Sequence, residues 1–270
     1  MAGMGQNRMS GVPSPDPLRF HRSGPGERLA PFVRNFWAVR STESRDTCGH
    51  QRVVPDGCID LIFVRRGLTE TFNGFVVGTM TRPTVEDVVG GTQYLGVRFA
   101  PGGFTGLFGH PAHQFTDRTV ALDDLSLPLM PGERFAESPG IEASFRMLEE
   151  GLSRHLVRAR SSPVVGKALD MISASQGAVT ITQLAAAIDY SPRQLLRVFR
   201  ESVGVGPKAY CRIIRFKTAL RALRRRPQPD LLQVALEAGY YDQAHFIHEF
   251  NAFYGSSPSA AMSVSYNTRR

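Results

Sequence analysis

Leu184-Ala185-Ala186-Ala187-Ile188-Asp189-Tyr190-Ser191-Pro192-Arg193-Gln194-Leu195, followed by Phe199, Gly204 and Pro207, is written a second time about fifty residues later. The second copy runs Val234-Ala235-Leu236-Glu237-Ala238-Gly239-Tyr240-Tyr241-Asp242-Gln243-Ala244-His245-Phe246, followed by Phe250, Gly255 and Pro258. Phe to Gly is five residues and Phe to Pro eight in both copies. Ala185 to Phe199 is fourteen residues and Ala235 to Phe250 fifteen, so the second copy carries one extra residue at its turn.

The spacing has a mechanical reason. Two helices crossing at a sharp turn need a small residue where they approach, a turn residue, a cap on the second helix and an inward apolar stripe. Ala185 and Ala235 are the small residues. Gly239 supplies a turn that requires positive φ, and Asp189 stands there in the first copy, tolerating that region better than most residues. Ser191-Pro192 reads as N-cap and first helical position, with Asp242 as the matching cap. Leu195, Val198 and Phe199, like Phe246 and Phe250, form the stripe. Between the copies, 207–223 has no interior Pro or Gly and predicts a helix roughly 25 Å long, a spacer for two recognition helices entering grooves roughly 34 Å apart. The run Arg224-Arg225-Arg226-Pro227 ends it, touching phosphate or simply solvated. A first helix is expected over 164–173.

Charge follows the repeat. Residues 151–270 carry 17 Lys and Arg against 7 Asp and Glu, whereas residues 1–150 carry 15 against 17. All of the net charge of +8 therefore lies with the repeat, where phosphate neutralisation would use it.

The fold class expected is α+β: a mostly-β small barrel or sandwich, then an all-α domain with two helix-turn-helix units joined by a long helix. Segments 36–39, 51–54, 59–64, 71–77, 84–89 and 93–99 are rich in β-branched and aromatic residues, and turn signals such as Pro55-Asp56-Gly57 and Gly90-Gly91 separate them. A short helix is expected over 104–108 and a longer one over 141–157. In the latter, Ile141, Phe145, Leu148 and Leu152 repeat at coiled-coil spacing, which packs on its own domain or forms a dimer seam. The organisation expected is a disordered tail over 1–28, a β-rich sensor or interaction domain with a linker helix over 29–160, and the DNA-binding domain over 161–270. No run of about 18 apolar residues reads as a membrane span. Three scattered cysteines, Cys48, Cys58 and Cys211, point to a reducing cytoplasm and cannot fill a four-cysteine zinc site.

These stretches carry a resemblance. The C-terminal hundred residues look like the DNA-binding domain of the AraC/XylS family of bacterial transcription regulators, through Leu184-Ala185, Tyr190-Ser191-Pro192-Arg193, Arg197-Val198-Phe199, Gly204-Val205-Gly206-Pro207, Tyr210, Arg215, Ala235 to Tyr240, Gln243, Phe246, Phe250 and Ser257-Pro258. The first half resembles an uncharacterised N-terminal domain found on some members, through residues 54–63 and 96–103. The resemblance implies sequence-specific binding of double-stranded DNA, governed by an unidentified signal acting on the N-terminal domain. The residues expected to touch DNA are Ser191, Arg193, Gln194, Leu196, Arg197 and Arg200 in the first copy, and Gln243, Ala244, Ile247 and His248 in the second. Arg suits guanine, Gln adenine, and Leu196 either a thymine methyl or the core. Members often have Arg where His248 stands. The first helix is therefore expected to set specificity and the second to add grip.

Family members commonly couple such a reader to a sensing domain. Trp37, Asp56, Asp60 and Arg98, polar or aromatic among apolar strand segments, are the candidate ligand contacts; the alternative is a structural Arg98–Asp60 pair and a turn at Asp56. A small-molecule effector, RNA polymerase and a second copy of the chain are the further partners considered. No catalytic residue, metal or cofactor is assigned. The rival readings are a cupin-like metal enzyme, which wants two or more His close together on strands, an alkyl-transfer DNA repair protein, which needs a zinc-bound cysteine cluster that Cys48 and Cys58 alone cannot make, and an interaction module with a DNA tether.

Overall fold

The computed structural model describes residues 18–41, 48–67, 71–125, 127, 132, 135, 138–226 and 228–263. In the N-terminal half, eight strands are β1 (Leu18–Ser23), β2 (Val33–Ser41), β3 (Cys48–Val53), β4 (Asp60–Arg66), β5 (Asn73–Val77), β6 (Thr84–Val89), β7 (Thr92–Phe99) and β8 (Thr119–Ala121). Six form one antiparallel sheet in the order β1-β2-β7-β4-β5-β8, and β3 pairs with β6 in a separate ribbon. Of the small barrel or sandwich expected, the barrel does not close: among the described residues β1 and β8 end the large sheet without pairing with each other.

Alternation decides which face is buried. Phe36 and Leu61 both sit opposite Val97, and Phe63 sits opposite Leu95, so one face presents a continuous apolar layer. Helices α1 (Gly103–Phe108) and α2 (Ile141–Ser153) cover it with Phe104, Leu107, Phe145, Leu148 and Leu152, all buried in the same core. The seam of α2 thus faces inward, with the Phe145 ring stacked on Phe36, so its apolar stripe is not left for a second chain. The helix stops at Ser153, four residues before the expected end.

Part of the segment expected as a tail over 1–28 forms a strand. Leu18–Ser23 pair with β2 across their whole length, and residues 1–17 lie outside those described. Phe20, His21 and Arg22 are exposed, as suits an edge strand, and that weak alternation is why the segment reads as a tail.

The C-terminal half is helical: α3 (Pro163–Ala174), α4 (Ile181–Ala187), α5 (Pro192–Val203), α6 (Pro207–Arg225), α7 (Leu231–Glu237), α8 (Gln243–Tyr254) and α9 (Pro258–Ser263). One apolar core joins α3 to α8, with Leu184, Ala185, Phe199, Phe216, Val234, Ala235, Phe246 and Phe250 fully or almost fully buried. Helix α6 runs through its centre, burying Ile213, Phe216, Ala219, Leu220 and Leu223. Both halves of the repeat pack on it.

Candidate nucleic-acid interface

In the first copy Asp189 has φ 58° and in the second Gly239 has φ 77°, so both turns need the left-handed region the sequence pattern places there. Tyr190 N donates to Ala185 O and Tyr240 N to Ala235 O, each at 3.0 Å, which makes these two tyrosines equivalent. The additional residue of the second turn is therefore Tyr241.

Helix α5 opens with a reciprocal cap. Ser191 Oγ accepts from Gln194 N at 3.3 Å, and Gln194 Oε1 accepts from Ser191 N at 2.9 Å. These two expected DNA contacts thus hold the helix start as well. Arg193, Leu196, Arg197 and Arg200 are exposed, and their spacing of three, one and three puts them on one face. Leu196 is 44% exposed, yet a Cβ on Gly206 would lie 2.8 Å from its Cδ1. It rests on the start of α6 while part of it stays available to a partner.

In helix α8, Asp242 Oδ1 accepts from His245 N at 2.7 Å and caps the start. Gln243, Ala244 and His248 are exposed, but Ile247 is half-buried against the helical core. The extended apolar stripe of α8 draws it inward. Behind the helix, Arg212 of α6 donates to both carboxylate oxygens of Glu249 at 2.7 Å. Burial opposes the charge on Glu249, but the Arg212 hydrogen bonds and charge outweigh it and hold the carboxyl below its ordinary 4.5. A depressed folded value contributes stability that is present above the unfolded pKa and lost as pH falls through the folded one. Glu249→Gln is accordingly expected to flatten the fall of stability between about pH 5 and pH 3, as read from urea midpoints; equal slopes in both proteins would contradict the pairing.

Tyr241 escaped the sequence reading. It is 88% exposed and stands immediately before the Asp242 cap, at the leading edge of the second reading helix. The one-residue length difference between the copies was the signal that could have found it. Of the terminal run on α6, Arg224 and Arg225 are exposed, whereas Arg226 pairs with Glu237 at 2.8 Å.

The four candidate ligand contacts of the N-terminal half do come together, mostly on one another. Arg98 Nε and Nη2 donate to Asp60, its Nη1 lies 2.9 Å from Asp56 Oδ2, and Trp37 Nε1 donates to Asp60 Oδ1 at 3.3 Å. Asp56 Oδ1 also accepts from Cys58 N at 3.0 Å, the turn expected of Pro-Asp-Gly. Burial and the Asp56 charge push the neighbouring Cys58 thiol up to about 12. The four side chains thus bond chiefly to one another.

Residues 184–263 match the Helix-turn-helix domain family, and residues 21–121 match the Domain of unknown function (DUF6597). An uncharacterized HTH-type transcriptional regulator of Haemophilus influenzae is 34% identical over 79 residues, covering 29% of this chain and 26% of that protein. The HTH-type transcriptional regulator MtrA of Neisseria gonorrhoeae is 35% identical over 78 residues, with the same two shares, 29% and 26%. The chain thus spans about a quarter of the length of these curated relatives. The C-terminal domain of AraT, a response regulator from Geobacillus stearothermophilus, is a solved structure 26% identical, with a TM-score of 0.37, covering 42% of this chain and 96% of that one. Residues 184–263 are an AraC-type helix-turn-helix domain, carried on a chain whose residues 21–121 belong to a family of unknown function.

Proposed function

We propose that the protein is a sequence-specific DNA-binding transcriptional regulator. The observation that carries this reading is the pair of capped helices, α5 and α8, whose N-terminal turns expose Arg193, Arg197, Gln243 and His248 on a half that holds all the excess positive charge. Helix N-termini attract phosphate, and side chains in the first turns of a recognition helix reach base edges. Neither helix carries a step of bond chemistry, so an enzyme reading gains nothing from them. A location with the DNA, in the cytoplasm, goes with this role. Among the described residues no helix is long and apolar enough to cross a membrane.

The N-terminal half would supply the signal, from a small-molecule effector, RNA polymerase or a second copy. The closed Asp56–Asp60–Arg98–Trp37 network supports a structural task for those four residues within it.

Gel-shift titration of the full chain on duplex from upstream of its own gene, over a series of salt concentrations, tests the reading. A saturable complex is expected, its log affinity falling against log salt by about 0.9 for each phosphate neutralised. No sequence preference at moderate salt, with Arg193→Ala and Arg197→Ala without effect, would sink it. Tyr241 gives a finer check, since its exposed position before the Asp242 cap supports reading its hydroxyl as a donor to a backbone phosphate. Tyr241→Phe is expected to weaken all duplexes alike by about 1 kcal/mol, roughly fivefold. A loss confined to one sequence would instead make it a base contact.

A further inference from the structure

The C-terminal ends of both reading helices are gripped by the N-terminal half. We propose that this domain clamps α5 and α8 at one separation, and so sets the spacing between half-sites that the chain accepts on DNA. The proposal rests on the DNA-reading role.

Helix α5 is held by three threonines from three different segments. Thr79 Oγ1 donates to Val203 O at 2.6 Å, Thr116 Oγ1 donates to Gly204 O at 2.7 Å, and Thr105 Oγ1 lies 3.3 Å from both Glu201 O and Ser202 O. The last carbonyls of a helix have no partner inside it, so each hydroxyl meets an otherwise open acceptor. Thr79 is fully buried. Its loop is fixed to that of Thr116 beforehand: Asp117 N donates to Thr79 O at 3.1 Å, and the Asp117 carboxylate accepts from Thr81 N at 2.7 Å and from Thr81 Oγ1 at 2.6 Å. Gly204, at φ 94°, sits under both hydroxyls, and a Cβ there would lie 3.0 Å from Thr79 Oγ1 and 3.1 Å from Thr116 Oγ1.

Helix α8 is held by a different part of the same half. Arg52 of β3 donates to Tyr254 O, and its guanidinium stands 5.0 Å over the Tyr254 ring. Between the two readers, Lys217 of α6 donates to Asp56 O at 3.0 Å, Val54 packs on the helical core, and a Cβ on Gly57 would lie 2.5 Å from the Tyr210 ring. Three helices of the DNA-binding half are therefore anchored to the N-terminal half, α8 through the β3–β6 ribbon.

The grip falls at the ends away from Arg193, Arg197, Gln243 and His248, which stay exposed. Such a contact does not block DNA; it orients the helices. A helix of 12 residues is about 18 Å long, so a swing of about 10° around its anchored end moves the reading end by about 3 Å. That is close to the rise of one base pair, about 3.4 Å. Small losses of grip are thus large on the scale of register.

The test uses the full chain and its preferred duplex, selected from a random 40-base-pair library, together with duplexes carrying one base pair more or fewer between the half-sites. Wild type is expected to lose about tenfold or more in affinity on either change. Thr79→Val with Thr116→Val is expected to bind the original duplex within about threefold of wild type but to lose less than about threefold on the changed ones. Thr79→Ser in a Thr116 background keeps the hydroxyls and should retain the wild-type penalty. Should the double variant fail to fold, Arg52→Gln loosens α8 alone and is read in the same way. An undiminished spacing penalty in the released variants overturns the clamp, as does a wild type that selects a specific duplex yet tolerates all spacings. Failure to select any duplex is a different result and overturns the DNA-reading role itself.

Discussion

Arg98→Met is expected to lower the unfolding free energy by about 3 kcal/mol at neutral pH and by much less near pH 4. Arg98 stands opposite Asp60 across the β4–β7 pair and reaches both Asp60 and Asp56. The side chains of Asp60 and Asp56 are only 12% and 22% exposed. Removing one partner of a buried ion pair leaves an uncompensated charge and costs about 3–5 kcal/mol; the lower end applies because the Arg98 side chain is still 31% exposed. In the wild type, burial raises both carboxyls, but at Asp56 the charges of Arg98 and Lys217 prevail and hold it below the ordinary range. At Asp60 burial prevails and the carboxyl is raised. Without the guanidinium, burial and mutual repulsion act on both. Folded values above the unfolded ones give stability that is present below the unfolded pKa and lost as pH rises through the folded pKa. The deficit relative to wild type should therefore grow from pH 4 to pH 7. Urea unfolding of both proteins at pH 4, 5.5 and 7 measures it, and a deficit that is the same at all three would show that Arg98 acts by packing alone.

That network also marks the border between what the chain discloses locally and what only folding brings together. Ser191-Pro192, Asp189, Gly239 and Asp242 could be placed in advance because caps and left-handed turns are set by a few neighbouring residues. The inward stripes of α5 and α6 follow a helical period for the same reason. Six of the eight strands were legible as segments rich in β-branched and aromatic residues, but β1 and β8 were not, and neither was the arrangement: β3 and β6 leave the large sheet to pair with each other. The threonine grip was invisible. Thr79 and Val203 lie 124 residues apart, and a lone hydroxyl has no period to betray it. The half-burial of Ile247 against the helical core was not legible either, because it depends on tertiary packing.

The half-burial of Ile247 sharpens the difference expected between α5 and α8 into a second large prediction. Helix α5 presents Arg193, Arg197 and Arg200 in a row, with Leu196 seated against Gly206 beside them. A guanidinium can bond guanine O6 and N7 together, and one such pair discriminates by about 1–3 kcal/mol. Helix α8 presents Gln243 and His248 around Ala244, too short to reach far into a groove, and its Ile247 is partly withdrawn. Arg197→Ala is accordingly expected to cost about 1–3 kcal/mol of discrimination between the preferred duplex and one altered in the first half-site, whereas His248→Ala should cost less than about 1 kcal/mol in the second. Arg193 and Arg197 share one face a helical turn apart, so their joint removal should fall short of the sum of the two losses. Competition binding with single-base substitutions across both half-sites gives all three numbers. The pattern of loss separates the roles: a residue reading a base relaxes preference at one position, and a residue holding phosphate weakens every duplex equally and shallows the salt slope. If His248→Ala relaxed preference more than Arg197→Ala did, the second helix would be the principal reader, and the exposed arginine row of α5 would be a phosphate grip.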